Sequence, residues 1–156
     1  MAHLTREPIN ISDVVGRGGI YGAQGRDESR PYGTGAAILF FGIVRDYSQG
    51  KKVLYLEYEA YEEMAERMIK ELVDSACRRW AVEDIKLLHR LGRVELGEIA
   101  VAIEVRSVHR DEAYEASRYL IEEIKNKVPI WKKEYFADGT SEWSQCQPYA
   151  ELPRSL

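Results

Sequence analysis

From Tyr61 to Trp80, apolar residues return at every third or fourth position: Tyr61, Met64, Ala65, Met68, Leu72, Ala76 and Trp80, with charges between them. That period gathers them into one stripe and predicts an amphipathic helix of about five turns. Cys77 lies on the apolar face of this helix and is expected to be a small buried thiol. The same period predicts a second helix from about Arg110 to Lys127, with Ala113, Ala116, Ser117, Leu120 and Ile124 inward. Pro129 ends it, because its ring disfavours helical geometry at Val128. Elsewhere the period is two, or the run is unbroken. The continuous apolar run Gly35 to Val44 predicts a strand buried on both faces, and Val53 to Glu59 alternates as a second strand. Ile85 to His89 and Ile99 to Val105 predict two more, the latter with Ile99, Val101, Ile103 and Val105 on one face and Ala100, Ala102 and Glu104 on the other. Gly92 and Gly97 punctuate a turn region between them. Ile130 to Phe136 resumes as strand, Asp138-Gly139 is a hairpin signal that returns the chain through Trp143, and residues 144–156, with Pro148 and Pro153, read as an irregular tail.

The resulting order, ββαββαββ with short hairpin-like connections, favours antiparallel pairing over a doubly wound parallel sheet. The class expected is α+β: a mixed, mostly antiparallel sheet with two main helices. Residues 16–34 fit no period and form a glycine-rich loop; positions 16–35 hold seven of the twelve glycines. A dinucleotide fingerprint starting at Gly16-Arg17-Gly18-Gly19 fails, because its third glycine falls on Tyr21, and no GKS or GKT follows.

Length and composition narrow the class. A chain of 156 residues fits one domain, spanning 1–156, and buries roughly 70% of its unfolded surface without help from disulfides. A net charge of −4 with 31% charged residues describes an ordinary globular protein, so bulk charge predicts no nucleic-acid partner. Cys77 and Cys146 have no CxxC or Cys/His spacing, so no zinc site or dithiol motif is indicated. The N-terminus lacks an apolar leader core and no stretch approaches the roughly 20 apolar residues of a membrane span, which places the chain in the cytoplasm.

Against that acidic background, Ile124 to Glu134 concentrates Lys125, Lys127, Lys132 and Lys133 around Pro129 and Trp131. Clustered ammonium groups disfavour one another's protonation, so a lysine among them is suited to moving protons. Lys125 falls in the last helical turn and Lys132 on the next strand; the turn at Pro129 is expected to bring both amines toward one pocket. Lys127 reads as a plain complement to the helix C-terminus. Ser107-Val108-His109-Arg110 lies where a strand ends and a helix begins, a place whose free N–H groups attract anions, and His109 and Arg110 suit a phosphate there. Arg45 follows a buried strand in a similar position; the plainer alternative for it is a surface pair with Asp46. His89-Arg90 has no helix start beside it and reads as structural. No Ser-His-Asp or Cys-His arrangement is present, so lysine is the chain's evident reactive group.

Taken together, Phe41-Gly42-Ile43-Val44-Arg45-Asp46, Leu56-Glu57-Tyr58-Glu59-Ala60-Tyr61 with Met64-Ala65, His89-Arg90-Leu91-Gly92, Ser107-Val108-His109-Arg110 and Val128-Pro129-Ile130-Trp131-Lys132-Lys133-Glu134 resemble the large, catalytic subunit of molybdopterin synthase. Five blocks in the right order, across residues 35–143, are far more specific than any one of them. The resemblance implies an α/β-hammerhead fold, no cofactor, and conversion of cyclic pyranopterin monophosphate (precursor Z) to molybdopterin. It implies a small ubiquitin-like sulfur-carrier subunit with a C-terminal Gly-Gly thiocarboxylate, and a homodimer of large subunits at the centre of a heterotetramer. Carried over by motif, Lys125 resembles the essential lysine and Lys132 the second one. Arg45, His109, Arg110, Lys132 and Lys133 resemble the substrate-binding group. One departure stands out: family members commonly carry a basic residue shortly after the equivalent of Trp143 that reaches a neighbouring subunit, and this chain has Ser144-Gln145-Cys146-Gln147. Two other readings stay open at this point, a module that only docks a ubiquitin-like tail and a hydrolase of phosphate metabolites.

Overall fold

The structure is a computed structural model that describes residues 2–15 and 34–145. The glycine-rich loop of 16–33 and residues 146–156 of the expected tail lie outside the described residues. In chain order the elements are β1 (Leu4–Thr5), α1 (Ile11–Val14), β2 (Ala36–Ile43), β3 (Tyr47–Ser48), β4 (Lys51–Ala60), α2 (Glu62–Arg79), β5 (Val82–Arg90), β6 (Gly92–Glu95), β7 (Ile99–Ser107), α3 (Arg110–Lys127), β8 (Ile130–Phe136) and β9 (Ser141–Gln145). Two sheets result. One has the order β1-β5-β7-β2; the other has β3-β4-β8-β9, with β6 also paired to β4. Apart from the parallel pair β1–β5, the pairings are antiparallel. The fold is α+β with two long helices, as expected.

The helices sit where the 3.6 period puts them. All five residues predicted to face inward on α3 are buried, and Val128 leaves the helix in an extended conformation immediately before Pro129. On α2 the buried side centres on Ala65, Ile69 and Ala76. Tyr61 and Met64, expected in the stripe, are exposed at its rim, and Cys77 is exposed rather than buried. One step along a helix turns about 100°, which carries Cys77 off the face that Ala76 occupies. Ile69, Leu87, Ile103, Leu120 and Phe136 are fully buried, so the core draws on both helices and both sheets.

Three expectations about strands are corrected. β2 is not buried on both faces: Ala37 and Ile43 are exposed, Ile43 at 54%, and among the described residues β2 is the edge of its sheet. An unbroken apolar run does not say whether a strand has neighbours on both sides. The strand buried along most of its length is β7, which lies between β5 and β2; even Glu104 is enclosed there, with Arg106 donating to it at 2.8 and 3.0 Å. The supposed turn region after Gly92 contains β6, and β9 continues through Ser144 and Gln145, which pair with Lys132 and Trp131.

Two corners aim residues at the functional region. Between β5 and β6 the chain passes from one sheet to the other through Leu91 and Gly92. Gly92 has φ of 81°, a conformation that a side chain disfavours. At the second corner the carbonyl of Pro129 accepts the N–H of Tyr61 at 3.2 Å, and Ala60 pairs with Ile130. This fastens the C-terminal end of α3 over the end of β4.

Candidate active site

That second corner brings the two lysines together. Lys125 in the last turn of α3, Lys132 on β8 and Arg45 just beyond β2 line one cavity of about 150 Å³. Strand alternation puts Ile130, Lys132, Glu134 and Phe136 on the inward face of β8. Register sets Lys132 directly opposite Tyr58 and Glu134 opposite Leu56 on β4, and all four line the cavity. Lys132 Nζ lies 3.6 Å from Glu134 Oε1; the lysine side chain is 27% exposed and the carboxylate 4%. The buried carboxylate offsets the Lys132 charge within the wall before any ligand arrives. Lys125 and Arg45 are exposed and have no acidic partner among the described residues, so the Arg45–Asp46 surface pair is not formed. Leu56, Ile124 and Ile130 supply apolar wall, which strengthens the pull of the cations on a bound anion.

His89, read from the sequence as structural, also lines this cavity. Its ring is buried and meets Tyr58 edge-on at 5.1 Å. Nδ1 lies 2.9 Å from the carbonyl oxygen of Arg90, and since a carbonyl only accepts, Nδ1 carries the proton. Burial pushes the His89 pKa down to about 4; the Arg90 carbonyl bond opposes this, and the Lys125 charge adds to it. The ring is therefore neutral near pH 7. Glu134, close to Lys132 in sequence, already suggested a paired amine there, and the structure forms that pair. His89 is the ionisable wall residue read from the sequence as structural; it could be placed only by the corner at Gly92.

The other expected residues lie elsewhere. Lys127 forms an i,i+4 pair with Glu123 that holds its pKa above the usual lysine value, as expected of a helix-end cation. Lys133 faces away from Lys132 on β8, with Nζ 5.0 Å and 5.4 Å from the ring centroids of Tyr135 and Trp143. His109 and Arg110 are exposed at the start of α3, where they line a separate, open depression of about 420 Å³ with Gly35, Val108 and Asp111. Gly35 is required there: a Cβ would come within 2.2 Å of the Val108 carbonyl oxygen. Fifteen residues at 1.5 Å each put Arg110 roughly 22 Å from Lys125 along the helix axis. One chain does not bring the two groups into one pocket. No cluster of three or more metal-ligating side chains occurs among the described residues.

An α+β scaffold whose walled cavity offers amines, a guanidinium and a neutral imidazole, with no described cysteine on its wall, defines an enzyme class that handles an anion brought to it. Residues 5–127 match the family described as MoaE protein. The molybdopterin synthase catalytic subunit of Halalkalibacterium halodurans is 48% identical over 105 residues, 67% of each chain. That of Thermoplasma volcanium is 41% identical over 140 residues, 90% of this chain and 94% of its own. The crystal structure of molybdopterin synthase from Staphylococcus aureus superposes with a TM-score of 0.76 at 38% identity, covering 92% of this chain and 96% of that one. The chain belongs to the MoaE family, the molybdopterin synthase catalytic subunits.

Proposed function

We propose that the cavity receives the thiocarboxylated Gly-Gly end of a small ubiquitin-like subunit and passes its sulfur to cyclic pyranopterin monophosphate, forming molybdopterin for the molybdenum cofactor. The observation that carries this reading is the meeting of Arg45, Lys125 and Lys132, from three separate stretches of chain, around one narrow cavity. A cavity of that size suits a peptide end better than a folded surface, and its cations match a terminal anion. Sulfur attacks a side-chain carbon of the pterin and displaces the oxygen bound there, which leaves as the ring-opened phosphate or as water, so that the carrier stays joined to that carbon through a thioester-like bond. Water then cleaves that bond, so that the carrier departs as a carboxylate and the sulfur stays on the pterin. A second carrier repeats the sequence to complete the dithiolene. Lys125, exposed at the cavity mouth, is assigned the exchange of protons with sulfur and with the attacking water. Lys132, steadied by Glu134, holds the anion, and Arg45 adds charge from just beyond β2.

In this reading the His109–Arg110 group holds the substrate phosphate. Its position at the far end of α3 supports a pairing of two catalytic subunits in which one chain's anion group completes the other's lysine cavity, consistent with a central homodimer in a heterotetramer. Lys133 fits this function least well, since it faces away from the cavity. Mixing the purified chain with the pyranopterin and a thiocarboxylated carrier should yield molybdopterin, while a carrier ending in a plain carboxylate yields none. Tail binding without product would leave a docking module in place of the enzyme proposed.

A further inference from the structure

The cavity wall holds an unmatched donor and an unmatched acceptor. Lys125 is a donor-only amine with no hydrogen-bond or ion-pair partner among the described residues, whereas Lys132 has an ion-pair contact with Glu134 at 3.6 Å. His89 donates through Nδ1 to Arg90, which leaves Nε2 as an acceptor that no described residue bonds. An imidazole that lines a cavity with one ring nitrogen unbonded can accept from an amine or ligand that shares the cavity, and Lys125 lines the same one. The ring is also held unusually firmly. The backbone N–H of His89 donates to the His3 carbonyl at 2.7 Å, and β5 pairs at this residue with Leu4 on one side and Val101 on the other. Tyr58 fixes the ring plane from its edge.

Building on the sulfur-transfer reading, we propose that His89 is a positioning residue, whose fixed Nε2 accepts a hydrogen bond from the Lys125 amine and aims it into the cavity when the site is loaded. Such bonds are often long in an empty site and tighten on binding. The choice of side chain matters physically. A carboxylate there would clamp the amine as an ion pair, as Glu134 does for Lys132, whereas a neutral imidazole orients the amine and leaves it able to exchange its proton. His89 touches neither sulfur nor pterin in this scheme and acts through Lys125 alone.

The test compares the full chain with His89→Phe, which removes the acceptor, and His89→Gln, whose amide oxygen can restore it. Labelling of lysines by acetic anhydride, with a carboxylate-ending carrier bound so that the site is loaded and read by peptide mass spectrometry, reports on Lys125 without any turnover; the reconstituted complex with thiocarboxylated carrier reports kcat and KM. His89→Phe should change the Lys125 labelling rate several-fold while Lys127 and Lys133 keep theirs. It should also lower kcat about tenfold, the scale of one hydrogen bond, with KM unchanged. His89→Gln should recover both. Should His89→Phe fail to fold, the imidazole nitrogen NMR signals of His89 in the carrier-bound unaltered chain and in carrier-bound Lys125→Met replace it, and a moved Nε2 signal supports the contact. Unchanged Lys125 labelling in folded His89→Phe, a Gln variant as impaired as the Phe one, or an unmoved Nε2 signal would each overturn the proposal. If labelling responds as expected but the unaltered complex makes no product, the contact stands and the sulfur-transfer reading falls.

Discussion

The two ends of α3 carry cationic groups of similar composition and different construction. At the C-terminal end, Lys125 faces a cavity walled by β4, β5 and β8, with a buried carboxylate and a buried neutral imidazole set among apolar side chains. At the N-terminal end, His109 and Arg110 stand exposed over an open depression, and Arg110 has only a loose 3.9 Å contact with Asp111. Charge in a walled, low-dielectric site exerts far more force than the same charge in water. The walled end therefore exerts the stronger pull on an anion, and the open end supplies charge that becomes strong only when something covers it.

The largest effect is expected at the walled end. Lys125→Ala should lower turnover by roughly 10²–10⁴-fold, the range for a lost proton-transfer group, with the fold intact because the side chain is exposed. Single-turnover assays of product formation check this. Next comes the open end: Arg110→Ala should raise KM for the pyranopterin by about tenfold or more, as expected for a lost charge-assisted bond of about 1.5–3 kcal/mol. If the two ends cooperate between chains, mixing Lys125→Ala with Arg110→Ala should form hybrid dimers that recover part of the activity. No recovery would confine each site to its own chain. Glu134→Gln should lower kcat about tenfold by freeing Lys132 from its partner at 3.6 Å, a smaller loss than at Lys125.

The walled end also predicts a pH signature. His89 has a pKa of about 4 in the folded chain against an ordinary 6.5, so below pH 6.5 the unfolded chain takes up a proton that the native one resists. Stability from this group is fully present above pH 6.5 and is lost progressively down to pH 4, by on the order of 3 kcal/mol. Denaturant titrations at a series of pH values should show that decline, and His89→Gln should remove it. The smallest effect belongs to Lys127→Ala, whose exposed pair with Glu123 lies away from both sites; activity and melting temperature should stay unchanged.

Much of this arrangement was legible in the sequence. The 3.6 period set both ends of α3, and Pro129 marked the corner that joins Lys125 to Lys132. The same helix also carried a warning: residues 110 and 125 at opposite ends of one rigid rod cannot share a pocket within a chain. The edge position of β2 was not legible, because an apolar run looks the same with one neighbouring strand or two. Nor was His89 recoverable, since its place in the cavity depends on the crossing between sheets at Gly92 and on the register that sets Tyr58 beside Lys132.

The central claim is that a carrier's C-terminal glycine enters the walled end of α3. Activating the terminal carboxyl of the carrier subunit in the assembled complex, then mapping the acylated residue by peptide mass spectrometry, tests it directly. The account predicts an amide bond to Lys125 or Lys132. Acylation confined to Lys127 or Lys133, or spread evenly over surface lysines, would contradict it.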